Sequence, residues 1–213
     1  MFALPQETKK LQGSRVPPLR HTRNSQRLSV AAELCKLQLK QHGHDERYHQ
    51  DIWCLPYNVR IKHMVLHFAK YAGKFQSAEE QRDRHLFTAT LIDTWIITLA
   101  SANILNLRLS QSLRVDDQDA PNLQELGDRI TAEFAPTRDP YLLACRQLCK
   151  TVGLMAKACE CMDHGEAFDS RGTLERGIVN VAKLSLVLAN LLDVDLSPLV
   201  ETRWKEIEAK SIF

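Results

Sequence analysis

With 213 residues, 44% hydrophobic and 25% charged side chains, the chain has ordinary globular proportions and enough length to bury a sizeable core. Its formal net charge of +2 hides an uneven distribution: residues 1–30 hold six basic side chains against Glu7 alone, a net +5, whereas residues 75–213 sum to −6. No uninterrupted apolar run is long enough for a membrane span, since residues 91–107 carry Asp93, Asn103 and Asn106, and the first residues lack the apolar core of a secretory signal; a cytoplasmic protein without membrane contact is the expectation.

Taken in chain order, residues 1–27 read as a basic, proline-containing arm with little apolar periodicity, suited to touching nucleic acid or a protein partner, or simply solvated. A first helical unit spans 28–113. Its first helix runs from about Ser29 to Gln41, followed by a polar loop bearing His42, His44 and His49. The second begins near Asn58 and ends near Gly73, with Ile61, Met64, Val65 and Phe68 as its apolar stripe. The third runs from about Ala78 to Leu107, apolar nearly all round from Leu86 onward, as a central helix would be. A linker, 114–140, contains a short helix opened by an Asn122/Glu125 capping box. The second helical unit, 141–213, starts from Asp139-Pro140, an N-cap with proline at the first position, and its first helix ends at Gly165. Two more helices follow, from Thr173 to about Leu192 and from Ser197-Pro198 to the end. The absence of strand patterns and the short connections predict one all-α domain, an antiparallel bundle of two similar helix hairpins related by a pseudo-two-fold axis.

Several side chains carry chemistry. Asp93 interrupts an otherwise apolar helix, where a carboxylate is costly unless paired or metal-bound; a catalytic role and a water-facing notch are both open. His63, His67, Lys70 and Lys74 follow one face of the second helix, as phosphate-binding groups or as a solvated basic face. Glu160 and Asp163 are three residues apart, and Glu175 comes near them if their helices form a hairpin. These three are candidate ligands for Mg²⁺ or Mn²⁺, or unremarkable surface acids. The six cysteines do not read as a disulfide framework. Cys145 and Cys159 would stand ~21 Å apart on one helix at ~1.5 Å per residue, too far to share zinc, so reduced core cysteines are expected.

The two halves nearly repeat. Residues 61–70 precede the run 90–109, and residues 148–162 precede the run 173–196; both runs contain Leu-Ala-(x)-Asn-like endings and a short Leu-x-Leu segment. These stretches resemble the all-α nucleoside triphosphate pyrophosphohydrolases of the MazG type, in which E-E-x-x-E and E-x-x-D helices precede a Gly-Ile-Asp-Leu-like turn. Residues 90–100 are similar to the E-x-x-D helix through Asp93, Glu175 falls on the glutamate of the second copy, and Asp193-Val194-Asp195-Leu196 is similar to the turn. Where the family has acids this chain has Lys70-Tyr71-Ala72-Gly73-Lys74, and neither half keeps a complete acid set. The resemblance implies a metal-dependent enzyme or binding protein for (d)NTPs. Asp93 would act as ligand or base, Glu160, Asp163 and Glu175 as metal ligands, and His63, His67, Lys70 and Lys74 as contacts to the nucleotide. The alternative is a non-catalytic assembly or binding module on the same scaffold, and a homo-oligomer is compatible with either.

Overall fold

The computed structural model describes residues 29–115, 122–134 and 137–211, and among them helices are the only regular structure. In chain order these are α1 (Val30–Tyr48), α2 (Gln50–Trp53), α3 (Tyr57–Gln81), α4 (Arg84–Ile104), α5 (Leu109–Ser112), α6 (Leu123–Phe134), α7 (Pro140–His164), α8 (Ser170–Leu192) and α9 (Leu196–Glu208). The basic segment 1–27 lies outside the described residues, as does the linker stretch 116–121.

Sequence signals explain most helix ends. Ser29 accepts from the Ala32 amide, Asn122 from Glu125, and Asp139 from Tyr141 and Leu142, so each quiets an unpaired amide of a first turn. Gly165 ends α7 in the left-handed region, at φ 66°. Three boundaries differ from expectation. Gly73 does not stop α3, because Phe75 and Ala78 continue the buried stripe and outweigh a cost of about 1 kcal/mol for an interior glycine. The break falls at Arg82, in the left-handed region, and Asp83, whose carboxylate caps the Leu86 amide. Helix α1 runs on to Tyr48, which moves His42, His44 and Asp45 from a loop onto a helix.

The long helices α3, α4, α8 and α7 close a ring: α3 packs on α4 and α7, and α8 packs on α7 and α4. Phe68, Phe75, Phe87, Leu91, Trp95, Leu99, Ile178 and Val187 are buried at its centre, and burial of each large apolar side chain stabilises the fold by about 1.5–3 kcal/mol. Helix α1 covers α4, and α6 covers α8. The approach of α6 is close at Gly127, where a Cβ would stand 3.1 Å from the Leu186 carbonyl oxygen. Helix α4 buries Thr90, Thr94, Thr98 and Ser101 without orphaning them, because each hydroxyl donates to the carbonyl four residues back at 2.6–2.8 Å. This is also the one helix among the described residues that is by itself long and apolar enough to cross a membrane, and 61% of the relevant window is buried inside the bundle.

The likeness between the halves is sharpest where α4 and α8 end. The Leu107 amide donates to Ala102 O at 2.8 Å and that of Asn106 to Asn103 O; the Val194 amide donates to Ala189 O at 3.0 Å and that of Asp193 to Asn190 O. Asn106 and Asp193 are both left-handed, at φ 55° and 54°. Buried Leu109 and Leu196 then open α5 and α9. In the register of these turns Asp93 corresponds to Asn180, and Thr90 to Gly177. In the same register Glu175 corresponds to Thr88.

Candidate functional site

Beside α4 lies a cavity of about 340 Å³, walled by α1, α2, α3, α4 and α9. Ile52, Trp53, Met64, Ile96, Ile97, Ile104 and Ile207 make its apolar surface. Its polar side chains are Gln41, His44, Asp45 and His49 near the α1–α2 junction, Arg60, His63, His67, Lys70, Tyr71 and Lys74 from α3, Asp93 from α4, and Arg203 from α9. The stripe expected on the second helix thus meets Asp93 in one hollow.

Arg203 fixes Asp93. Its Nε donates to one carboxylate oxygen at 2.8 Å and a terminal nitrogen reaches the other at 3.5 Å, while Glu206 holds the far side of the guanidinium at 2.9 Å. The bend of 107° between α8 and α9 brings Arg203 across to α4. Nothing local in the chain marks Arg203, which lies 110 positions away.

Along α3 a hydrogen-bonded chain runs from Lys70 Nζ to His67 Nδ1 at 3.0 Å and from His67 Nε2 to His63 Nε2 at 3.1 Å. If the ammonium donates to Nδ1, a neutral His67 carries its proton on Nε2 and donates onward to His63. Burial, reinforced by Lys70, pulls the His67 imidazole down to about 4, so the ring is neutral at physiological pH. Burial also lowers Lys70, with Lys74 adding like-charge repulsion, and raises the Tyr71 phenol. Arg60, Lys70, Lys74 and Arg203 thus bring cationic groups to the wall, and His67 serves as a neutral donor or acceptor.

At the other end of the hollow, Asp45 is held by a buried relay: Trp204 Nε1 donates to Gln41 Oε1 at 2.7 Å, and Gln41 Nε2 donates to Asp45 Oδ1 at 2.7 Å. Burial pushes the Asp45 carboxyl up to about 7 against the opposing Gln41 hydrogen bond. Arg60 lies over the Trp53 ring at 4.4 Å, and its Nε is buried without a hydrogen-bond partner. His44 and His49 both titrate below the ordinary histidine value because of burial. A signal for this end did exist in the sequence: Val30, Leu34, Leu37, Gln41 and His44 keep one helical spacing, so the last two are polar groups at core positions.

The three acids expected to hold Mg²⁺ or Mn²⁺ have different surroundings. Glu160 pairs with Lys157 at 3.0 Å, Asp163 with Lys62, and Glu175 with Arg171 at 2.8 Å. Their ligand atoms do not converge; among the described residues the one group of three converging metal-ligating side chains is His44, Asp45 and His49. Helices α7 and α8 carry a lysine or arginine within one turn of Glu160 and Glu175, and those neighbours pair with the carboxylates. All six cysteines are free thiols; Cys145, Cys159 and Cys161 are buried as expected, whereas Cys149 is exposed.

Comparison of the chain with protein-family models, curated proteins and solved structures finds no match.

Proposed function

We propose that the chain binds a small phosphorylated ligand of the nucleotide class in this cavity. The observation that carries the reading is the convergence of Lys70, Lys74 and the His63–His67 pair with Arg60 and Arg203 on the wall of one small-molecule-sized hollow. Lysine and arginine supply charge-assisted hydrogen bonds to phosphate oxygens, and the imidazoles supply directed ones. The apolar wall of Trp53, Ile96, Ile97 and Ile104 suits a base or other flat organic group. The resemblance to nucleotide pyrophosphohydrolases supports the same ligand class.

Binding is better supported than hydrolysis. Asp93 is engaged on both oxygens by Arg203, and Glu160, Asp163 and Glu175 are dispersed among basic partners, so a cluster of free carboxylates for Mg²⁺ is lacking among them. The test is calorimetric titration with nucleoside mono-, di- and triphosphates, with pyrophosphate release followed in the same samples. Saturable binding that weakens at least tenfold in Lys70→Ala/Lys74→Ala, without turnover, is expected. Absence of binding, or equal affinity in the double variant, would overturn the reading; pyrophosphate release lost in Asp93→Asn would replace it with an enzyme.

A further inference from the structure

We infer that His44, Asp45 and His49 form a binding site for one divalent transition-metal ion of the zinc class, with its open coordination position toward the cavity. Their ligand atoms all lie within 4.8 Å of one another. Zn–N and Zn–O bonds of about 2.0–2.2 Å in a tetrahedron require separations of roughly 3.4 Å, which small side-chain rotations supply. Two imidazoles and one carboxylate are a donor set for zinc-class ions rather than for magnesium, which takes oxygen.

The independent observation is His44. The residue is only 6% exposed, yet neither ring nitrogen meets good hydrogen-bond geometry with any partner, the Trp204 backbone offering only a weak polar contact. Buried polar groups left unpaired cost on the order of 1–3 kcal/mol, and a metal bond removes that cost for one nitrogen. The neighbourhood supplies the orienting contact that metal-bound carboxylates usually have: the Trp204–Gln41 relay holds Asp45 Oδ1 and leaves Oδ2 for a cation. His49 is placed by the backbone, its amide bonded to Asp45 O at 3.0 Å and its carbonyl accepting from Trp53 at 2.8 Å. Arg60 is the opposing charge, but its guanidinium rests on the Trp53 face. Two neutral imidazoles, one carboxylate and M²⁺ leave a net single positive charge, so the fourth position takes water or an oxygen of an anion. This inference does not depend on the ligand proposed for the cavity.

The experiment uses the full chain, stripped with a chelator and titrated with Co²⁺ and then Zn²⁺ alone. One Co²⁺ per chain is expected, with visible d–d absorption and no thiolate-to-cobalt charge transfer. Zn²⁺ should displace it and raise Tm. Asp45→Asn keeps the Gln41 contact and His49→Gln keeps side-chain bulk; both should fold by circular dichroism and bind Co²⁺ at least tenfold more weakly, with Cys54→Ser unchanged. Should either ligand variant fail to fold, the wild-type spectrum and stoichiometry decide. No stoichiometric binding, a thiolate charge-transfer band, or wild-type affinity in either folded ligand variant would overturn the site.

Discussion

The turns that end α4 and α8 are built alike but are covered by different neighbours. Gln38 of α1 clamps the first: its Nε2 donates to Leu107 O at 2.9 Å, its Oε1 accepts from the Leu109 amide at 3.0 Å, and Asn103 Nδ2 donates to Gln38 O at 2.8 Å. The second turn is held from α6 by Asn190 Nδ2 to Thr131 Oγ1 at 3.0 Å and Gln124 Nε2 to Asn190 Oδ1 at 3.4 Å, while each turn also has an arginine on an equivalent carbonyl, Arg171 on Leu105 O and Arg84 on Leu192 O, both at 2.8 Å. The helix interiors diverge further. Asp93 faces a cavity and an arginine from α9, whereas its counterpart in the turn register is neutral Asn180. Gly177, the counterpart of Thr90, is closed over by Met155, whose Cγ stands 2.5 Å from where a Cβ would be. A common backbone unit therefore carries a hollow in one half and close packing in the other.

The largest effect should come from the cavity pair. Arg203→Ala strands Asp93, whose side chain is 15% exposed, and should cost about 1–3 kcal/mol, below the cost for a fully buried pair because Arg203 is 33% exposed. Arg176→Ala removes a pair with Asp169 in which both side chains are 65% exposed, and should change stability by less than about 0.5 kcal/mol. Urea denaturation of both variants checks the contrast, and equal losses would remove the distinction between the halves. Next come the clamps. Gln38→Ala loses two strong contacts and leaves the Leu109 amide unpaired, for about 1–2 kcal/mol; Asn190→Ala should lose about 0.5–1 kcal/mol in the same assay.

A smaller effect follows pH. His67 titrates near 6.5 when unfolded and at about 4 when folded, so below pH 6.5 the unfolded chain binds more protons. The His67 contribution should be full above pH 6.5 and decline as pH falls toward 4, with solvent in the cavity moderating the loss and Asp45, raised to about 7, acting in the opposite sense. His67→Gln should flatten that part of the urea-midpoint profile relative to wild type. An unchanged profile would mean that His67 is not the titrating group.

Much of the backbone was legible because it rests on local rules. Asp139-Pro140, Gly165 and the Asn122/Glu125 pair mark helix ends through contacts a few residues long, and the apolar character of α4 announces a central helix. The basic stripe on α3 was also legible, since helical spacing alone aligns His63, His67, Lys70 and Lys74. What faces that stripe was not. Arg203 reaches Asp93 only through the bend before α9, and His44 and Asp45 enter the wall only because α1 outlasts its expected end at Gln41. The surroundings of the carboxylates of α7 and α8 were not legible either: spacing within a helix says nothing of whether acids on two helices converge or pair with the nearest lysine or arginine.

The smallest predicted effect tests the turns themselves. Asn106 and Asp193 are both exposed and left-handed, a conformation that costs an L-residue energy and glycine almost none. Asparagine tolerates it better than most residues. Aspartate in addition sets a negative charge at the negative end of the α8 dipole. Asp193→Gly should therefore raise stability by about 0.5–1 kcal/mol and Asn106→Gly by less, seen as shifts in urea midpoint at constant m-value. Valine at either site should lower the midpoint, because a β-branched side chain fits the left-handed region worst. If glycine were neutral at 193 yet stabilising at 106, the two turns would differ in strain despite their shared hydrogen bonds, and the register that pairs Asp93 with Asn180 would lose its physical basis.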